Sequence, residues 1–490
     1  MLLKVLFGSQ ISKIKMGGLV LILLAYAPGV FRESFWSDDY PALMDTPTVV
    51  DHILKDARPT AAALFSISYS LLDGPENAWI LRSLALIALL LIFLFISNRI
   101  TNSRYGNIGI FSIAIAFCLP SFQMYIHWSI TWPLLWIALA GLYSFHFWSS
   151  KLIIGRVIGV FLLVLALTAY PPVALFFFSA IAVINVLNES KIPKFLSDVV
   201  QGLILLIISG IVSILTVIVT MQFASISPNN RVAAILSLSE IPEKILWLLS
   251  RPIVVGLRPF LIDSPTPKIA LLTALPVLAI LLFGIKRQSQ HLGESIFHRG
   301  FWIVVPLALT LIPLMITSDN QIEFRVLPGY SWGVAALASF FLLRSLESLL
   351  QSLIKNERVR GFSLLVAPSA LALVAVFTVN SHYVDLFGAP YQKKNAFLNT
   401  SISSCVKGGL IKSVSILPPK LPFPSYQRLG VFSMSTDLAS EWVPKPNVEL
   451  LLQQRGINAS VVYRATRPLV GEFAATECVI DLEEFRKLLL

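Results

Sequence analysis

Residues 199–221 read VVQGLILLIISGIVSILTVIVTM, an unbroken apolar run with no charged side chain. A helix needs about 20 mostly apolar residues to cross the hydrocarbon core of a bilayer. This run meets that requirement alone. Ten further apolar stretches flank it, at roughly 16–32, 79–97, 107–119, 129–148, 157–168, 173–187, 269–285, 300–317, 329–343 and 362–379. The fifth and sixth stretches along the chain are short. They read as one hairpin broken at Tyr170-Pro171-Pro172, because the prolines lack donors and restrict the residue before them. Composition agrees: of 490 residues 56% are apolar and only 13% charged, with mean hydropathy +0.76. A soluble domain carries about 25% charged residues. Disorder, an ordinary soluble enzyme and a disulfide-dense secreted scaffold are thereby excluded. The expectation is an all-α polytopic membrane protein with about eleven transmembrane helices. The first apolar run ends at Phe31-Arg32-Glu33 rather than at small residues, so it reads as a span and not a cleaved signal peptide.

The net charge of +11 would suggest nucleic acid in a soluble protein. Here it reads as loops anchored at membrane lipids, and no nucleic-acid partner is expected. With the N-terminus cytoplasmic, the inside loops hold 16 basic and 5 acidic residues. The outside loops, without the tail, hold 8 basic and 13 acidic. That asymmetry predicts a multi-pass protein whose residues after about 380 lie outside, in a bacterium the periplasmic face of the inner membrane. Two domains follow: a transmembrane domain over 1–380 and an extracytoplasmic α+β domain over 381–490. Val461-Val462-Tyr463 and Cys478-Val479-Ile480 alternate in strand fashion. Cys405 and Cys478 both fall in this tail, as a disulfide or as two free thiols.

Two outside loops, 33–78 and 222–268, are too long to be connectors. In the first, Thr46-Pro47 predicts a helix start, with Thr46 as N-cap. Val49, Val50, Ile53, Leu54 and Ala57 then recur at helical spacing, up to Arg58-Pro59. In the second, Ser239 is placed to cap a helix carrying Ile241, Ile245 and Leu249, with Trp247 at the interface. Both read as helices lying in the membrane surface.

The sharpest chemical feature is Ser37-Asp38-Asp39-Tyr40, just past the first span and bracketed by Trp36 and Tyr40. Adjacent carboxylates repel and are costly to desolvate. Such a pair is either a solvated loop or a site that takes a proton from a hydroxyl or holds a cation. Glu323-Phe324-Arg325 stands at the mouth of the tenth span, and Arg251 and Arg258 each precede a proline. An arginine fork suits phosphate oxygens, though each of these also fits a lipid headgroup anchor. His127 falls in the turn between the third and fourth spans, as a structural or substrate-lining residue, and Arg82 reads as snorkelling. No CxxC, HExxH, GxGxxG or P-loop pattern occurs, so a metal, nucleotide or nicotinamide site has no sequence support.

At these residues the chain resembles a GT-C superfamily glycosyltransferase, and within it the bacterial and phage type II glucosyl transferases that modify O-antigen. The resemblance rests on Ser37-Asp38-Asp39-Tyr40, Asp56-Ala57-Arg58-Pro59, Ala169-Tyr170-Pro171-Pro172 and Glu323-Phe324-Arg325, and spans roughly 15–380. Tyr170 departs from the Tyr-Gln pair common in that family. The resemblance implies transfer of a sugar, glucose by preference, from a polyprenyl-phosphate carrier to a lipid-linked glycan acceptor on the periplasmic face. It implies Asp38 or Asp39 as base, with Asp39 favoured. It implies Arg325 first, then Arg58, Arg258 and Arg251, against the donor phosphate. Glu323, Tyr170, His127 and Tyr40 would line the substrate. No cofactor is required, and a divalent cation can assist. Two other classes stay open: a lipid-linked sugar flippase or transporter, and an O-antigen polymerase or ligase. Near charge-free span interiors argue against transport, and the early Asp pair argues against polymerisation.

Overall fold

The computed structural model describes residues 12–32, 34, 38–70, 72, 74–100, 105–229, 240–259, 261, 267–317, 320, 326–353, 357–407, 411–420, 443–464 and 477–488. Each of the eleven apolar stretches falls on a helix or a broken helix pair. Among the described residues seven helical runs are long and apolar enough to cross a bilayer: Lys13–Val30, Pro75–Ser97, Ser129–Trp148, Ile192–Ala224, Lys268–Leu292, Pro328–Leu353 and Pro368–Val406. Gly106–Ala116 and Pro120–His127, bent by 58° at the Leu119-Pro120 break, make an eighth if counted together. Ile153–Ala169, Pro171–Leu187 and Ile296–Leu309 are shorter. The chain is thus a helical membrane protein with seven or eight candidate crossings among the described residues, where eleven were expected. The difference arises where prolines divide apolar sequence into pieces shorter than a bilayer. Tyr170, extended at φ −157°, is the break between two of those pieces.

The surface confirms which solvent these helices meet. In Ile192–Ala224 the side chains of Ile204, Ile207, Ile211, Ile214 and Leu215 are exposed, and a contiguous apolar stripe of that size needs lipid against it. The enclosed core is aromatic: Trp332 is fully buried between Phe117, 5.4 Å away, and Phe176, 4.9 Å away.

The first long loop folds as Asp39–Met44, Thr46–Lys55 and Pro59–Tyr69. The cap of the second helix is Asp45, not Thr46: the Asp45 carboxylate accepts from the Thr48 amide at 3.2 Å. Thr46 instead donates its hydroxyl to the Ala42 carbonyl at 2.6 Å. Asp45→Ala is expected to cost about 1 kcal/mol of local stability, read as faster hydrogen exchange confined to residues 48–55. In the second loop the helix spans Ile241–Ser250 with Glu240 at its N-cap; Ser239 lies outside the described residues.

The last span does not stop at 380. Glu357–His382 continues through a π-turn, Tyr383–Gly388, into the polar helix Ala389–Lys407. The tail then forms β1 (Ser413–Leu417), β2 (Ser460–Tyr463) and β3 (Glu477–Asp481) in the order β2-β1-β3. Both pairings are parallel, with Val414 opposite Val461 and Cys478. Parallel neighbours require a crossover, and the Pro444–Gln454 helix lies between β1 and β2. The described part of the tail is therefore a small unit of helix and parallel strands, a β-α-β arrangement finer than the α+β expectation specified. Cys405 and Cys478 form a disulfide, tying the Ala389–Lys407 helix to β3.

Candidate functional site

Asp39 is the side chain around which one end of the bundle is organised. Asp38 and Asp39 open the Asp39–Met44 helix, Asp38 at the N-cap with its carbonyl accepting from the Ala42 amide. The Asp38 side chain is half-buried and makes no capping bond. Asp39 is 0% exposed. Its Oδ1 accepts from the Tyr69 hydroxyl at 2.9 Å and from the Ile130 amide at 2.7 Å. Burying a carboxylate costs several kcal/mol. Hydrogen bonds to a charged group return about 1.5–3 kcal/mol each, so the two bonds offset much of that cost and nearby cations must supply the rest.

Two cations are placed to do so. Lys394 comes from Ala389–Lys407, beyond the apolar run of the last span, and is 2% exposed. Its Nζ lies 4.1 Å from the Tyr40 ring centroid and 6.0 Å from that of Tyr391. Burial pulls its ammonium down to about 7, against the upward pull of the Asp39 charge. The second cation is Arg82, buried rather than snorkelling. It donates to the Gly29 carbonyl at 3.1 Å, the Arg32 carbonyl at 2.8 Å and Ser34 Oγ at 2.7 Å. It therefore braces the chain where the first span hands over to the Asp38-Asp39 turn, within electrostatic reach of Asp39. Burial and the neighbouring carboxylate push the Tyr69 phenol well above its ordinary range, so it remains a donor.

The tail closes this end. Tyr40 donates its hydroxyl to Asn395 Oδ1 at 3.5 Å, and the Pro444–Gln454 helix packs on Asp39–Met44. His127 is not in a turn at the surface. It ends the Pro120–His127 helix and is 1% exposed, its ring 4.7 Å from Tyr383, 5.1 Å from Phe387 and 5.7 Å from Tyr26. The apolar run continues past the Leu119-Pro120 bend and carries His127 inward, so it packs instead of projecting.

A second cluster joins two motifs 112 residues apart. The Arg58 guanidinium stands over the Tyr170 ring, 4.9 Å from its centroid, and 3.9 Å from Asp56 Oδ2. Asn229 fastens the other long loop here, donating its Nδ2 to Asp56 Oδ1 and its amide to the Lys55 carbonyl, each at 2.8 Å. Thr60 and Thr168 hydroxyls meet at 2.7 Å. Arg58 precedes the helix whose last residue is Tyr69, so its backbone is about 16 Å along the axis from the partner of Asp39.

Two further arginines of the second long loop are described. Arg258 is 5% exposed and donates its Nε to Thr273 Oγ1 at 2.6 Å; Arg251 is exposed at the end of Ile241–Ser250. Glu323 and Arg325 lie outside the described residues, as do Trp36 and Ser37. A divalent cation at Asp38–Asp39 would need further oxygen ligands from substrate or water, since among the described residues no three His, Cys, Asp or Glu side chains gather.

Lys394 and Tyr69 were not singled out in the sequence, and Arg82 was read there only as a snorkelling residue. Lys394 had a signal: Tyr391, Lys394, Leu398 and Ile402 recur at helical spacing, so a lysine occupies an apolar stripe. Tyr69 and Arg82 had none, because their roles depend on contacts 30 and 48–53 residues away. Compared with protein-family models, curated proteins and solved structures, the chain matches none.

Proposed function

We propose that this chain is a membrane glycosyltransferase of the GT-C kind. It transfers a hexose, glucose by preference, from a polyprenyl phosphate to a lipid-linked glycan such as O-antigen. The observation that carries the reading is the enclosed Asp39, held by hydrogen bonds from Tyr69 and Ile130 and within electrostatic reach of Lys394, beside the half-buried Asp38. Asp39 already accepts two short hydrogen bonds, which suits a group that fixes geometry. Asp38, half-buried at the N-cap of the same helix, then takes the proton from the attacking acceptor hydroxyl. The sequence-based preference for Asp39 as base is thereby reversed within the pair.

As the sugar is transferred, the bond between its anomeric carbon and the phosphate oxygen breaks and the acceptor oxygen bonds to that carbon. Negative charge develops on the leaving polyprenyl phosphate, and a fixed cation stabilises it. Arg58, stacked on Tyr170, and Arg325 are the arginines assigned that task. The Cys405–Cys478 disulfide suits an oxidising compartment, which supports placing this end on the periplasmic face of a bacterial inner membrane, with the N-terminus cytoplasmic.

Mass spectrometry of surface glycan from cells with and without the wild-type chain tests this. One additional hexose per repeat is expected. A changed glycan chain length instead would favour polymerase or ligase activity. No mass change, with the protein folded in the membrane, would favour transport of a lipid-linked sugar.

A further inference from the structure

At the opposite end of the bundle from Asp39 lies a cavity of about 290 Å³. The two ends are set by one helix: Arg82 near its start braces the Asp39 end, and Arg99 just past Ser97 lines the cavity. Seventeen residues of helix separate them by about 26 Å, close to the thickness of the hydrocarbon core.

The cavity has two chemically distinct walls. One is apolar, from Phe95, Phe145 and Phe177 with Ile181, Phe145 and Phe177 stacking at 5.8 Å. The other is polar, from Arg99, Lys194, Asp198, Asn185 and Asn188. Both amides are oriented by their own donors. Asn185 Nδ2 donates to the Ile181 carbonyl at 3.0 Å and to Asp198 Oδ2 at 2.9 Å. Asn188 Nδ2 donates to the Arg99 carbonyl at 2.9 Å. With the NH₂ groups so committed, Asn185 Oδ1 and Asn188 Oδ1 are left buried without a hydrogen-bond partner. An unpaired buried acceptor is costly, and a ligand bearing N–H groups would relieve it.

We propose that this cavity binds the headgroup of an aminophospholipid, a phosphate ester carrying a primary ammonium. The phosphate pairs with the Arg99 guanidinium and the Lys194 ammonium. The ligand's ammonium donates to the Asp198 carboxylate and the two amide oxygens, three acceptors for its three N–H bonds. The first acyl carbons lie along the phenylalanine wall. An anionic headgroup without an amine would satisfy the cations and leave the acceptors unpaired. A quaternary amine has no N–H to give them.

The test is native mass spectrometry of the full chain titrated with phosphatidylethanolamine, phosphatidylglycerol or phosphatidylcholine of the same acyl composition. Phosphatidylethanolamine is expected to be retained about tenfold better than either, the worth of one hydrogen bond to a charged group. Asp198→Asn should reduce that preference to within about twofold, and Arg99→Gln should weaken all phosphate-bearing lipids alike. Equal retention of the three lipids by the wild type overturns the proposal, whatever the variants do. So does a preference that survives Asp198→Asn undiminished. Soluble glycerophosphoethanolamine, added at equal concentration, separates a lipid from a free headgroup. Its failure to compete supports the lipid, and full competition overturns it. None of these readings involves sugar transfer, so the cavity stands or falls separately from the proposed activity.

Discussion

Asp38→Asn is expected to lower hexose transfer by about a hundred- to ten-thousand-fold, the range of a lost general base, while the protein folds and melts as the wild type does. Asp38 is half-buried and its side chain makes no capping bond, and asparagine keeps its size while removing the negative charge and the basic oxygen. Asp39→Asn should separate from it. The asparagine Oδ1 can still accept from Tyr69 and Ile130, but the charge that balances Lys394 and Arg82 is gone. Leaving a buried cation uncompensated costs about 3–5 kcal/mol, so Asp39→Asn should show a lowered thermal midpoint together with reduced transfer. Glycan mass spectrometry and thermal unfolding in the same detergent make the comparison. Full activity in both single variants and in the double variant would remove the carboxylate pair from the chemistry.

Lys394→Met should destabilise the chain by a similar amount, because it removes a buried cation whose charge acts on the enclosed Asp39. Its signature is in the pH dependence. The native ammonium is depressed to about 7, while the unfolded lysine keeps its proton to about 10.4. Between these values the unfolded chain binds the extra proton, so the Lys394 contribution makes stability rise as pH climbs from 7 towards 10. The methionine variant should lose that slope. Transfer should behave in the opposite sense. Lys394 presents a positive charge towards Asp39 only while protonated, so wild-type transfer is expected to show an alkaline limb, falling as pH rises through about 7. Lys394→Arg keeps its charge throughout, and its limb should move up by more than one pH unit. An unchanged alkaline limb in the arginine variant would show that Lys394 only fills space.

These contacts mark where a one-dimensional reading stops. Helix placement was legible because lipid solvates every exposed side chain of a span, so apolar length alone identifies it, as in Ile192–Ala224. Counting was less secure, because Pro171-Pro172 and Pro120 break apolar sequence into pieces whose assignment as crossings depends on tilt and bend. The tail strands at 461–463 and 478–480 were visible as alternation, but their parallel pairing depended on a crossover that alternation does not encode.

The Asp38-Asp39 pair could be noticed in sequence, since two adjacent acids beside a span are chemically conspicuous. That one is sealed and its neighbour half-open follows from the tertiary structure. Tyr69, Ile130, Arg82 and Lys394 approach from four separate segments, and burial is a property of what surrounds a side chain, not of its own identity. His127 shows the same limit in reverse: a turn-like position in the sequence became an enclosed ring once the preceding helix bent inward. Lipid exposure and charge asymmetry are summed along the chain, so the amino-acid order determines them. The pairing of Arg58 with Tyr170, and the roof that the tail places over Tyr40, required the chain to close on itself.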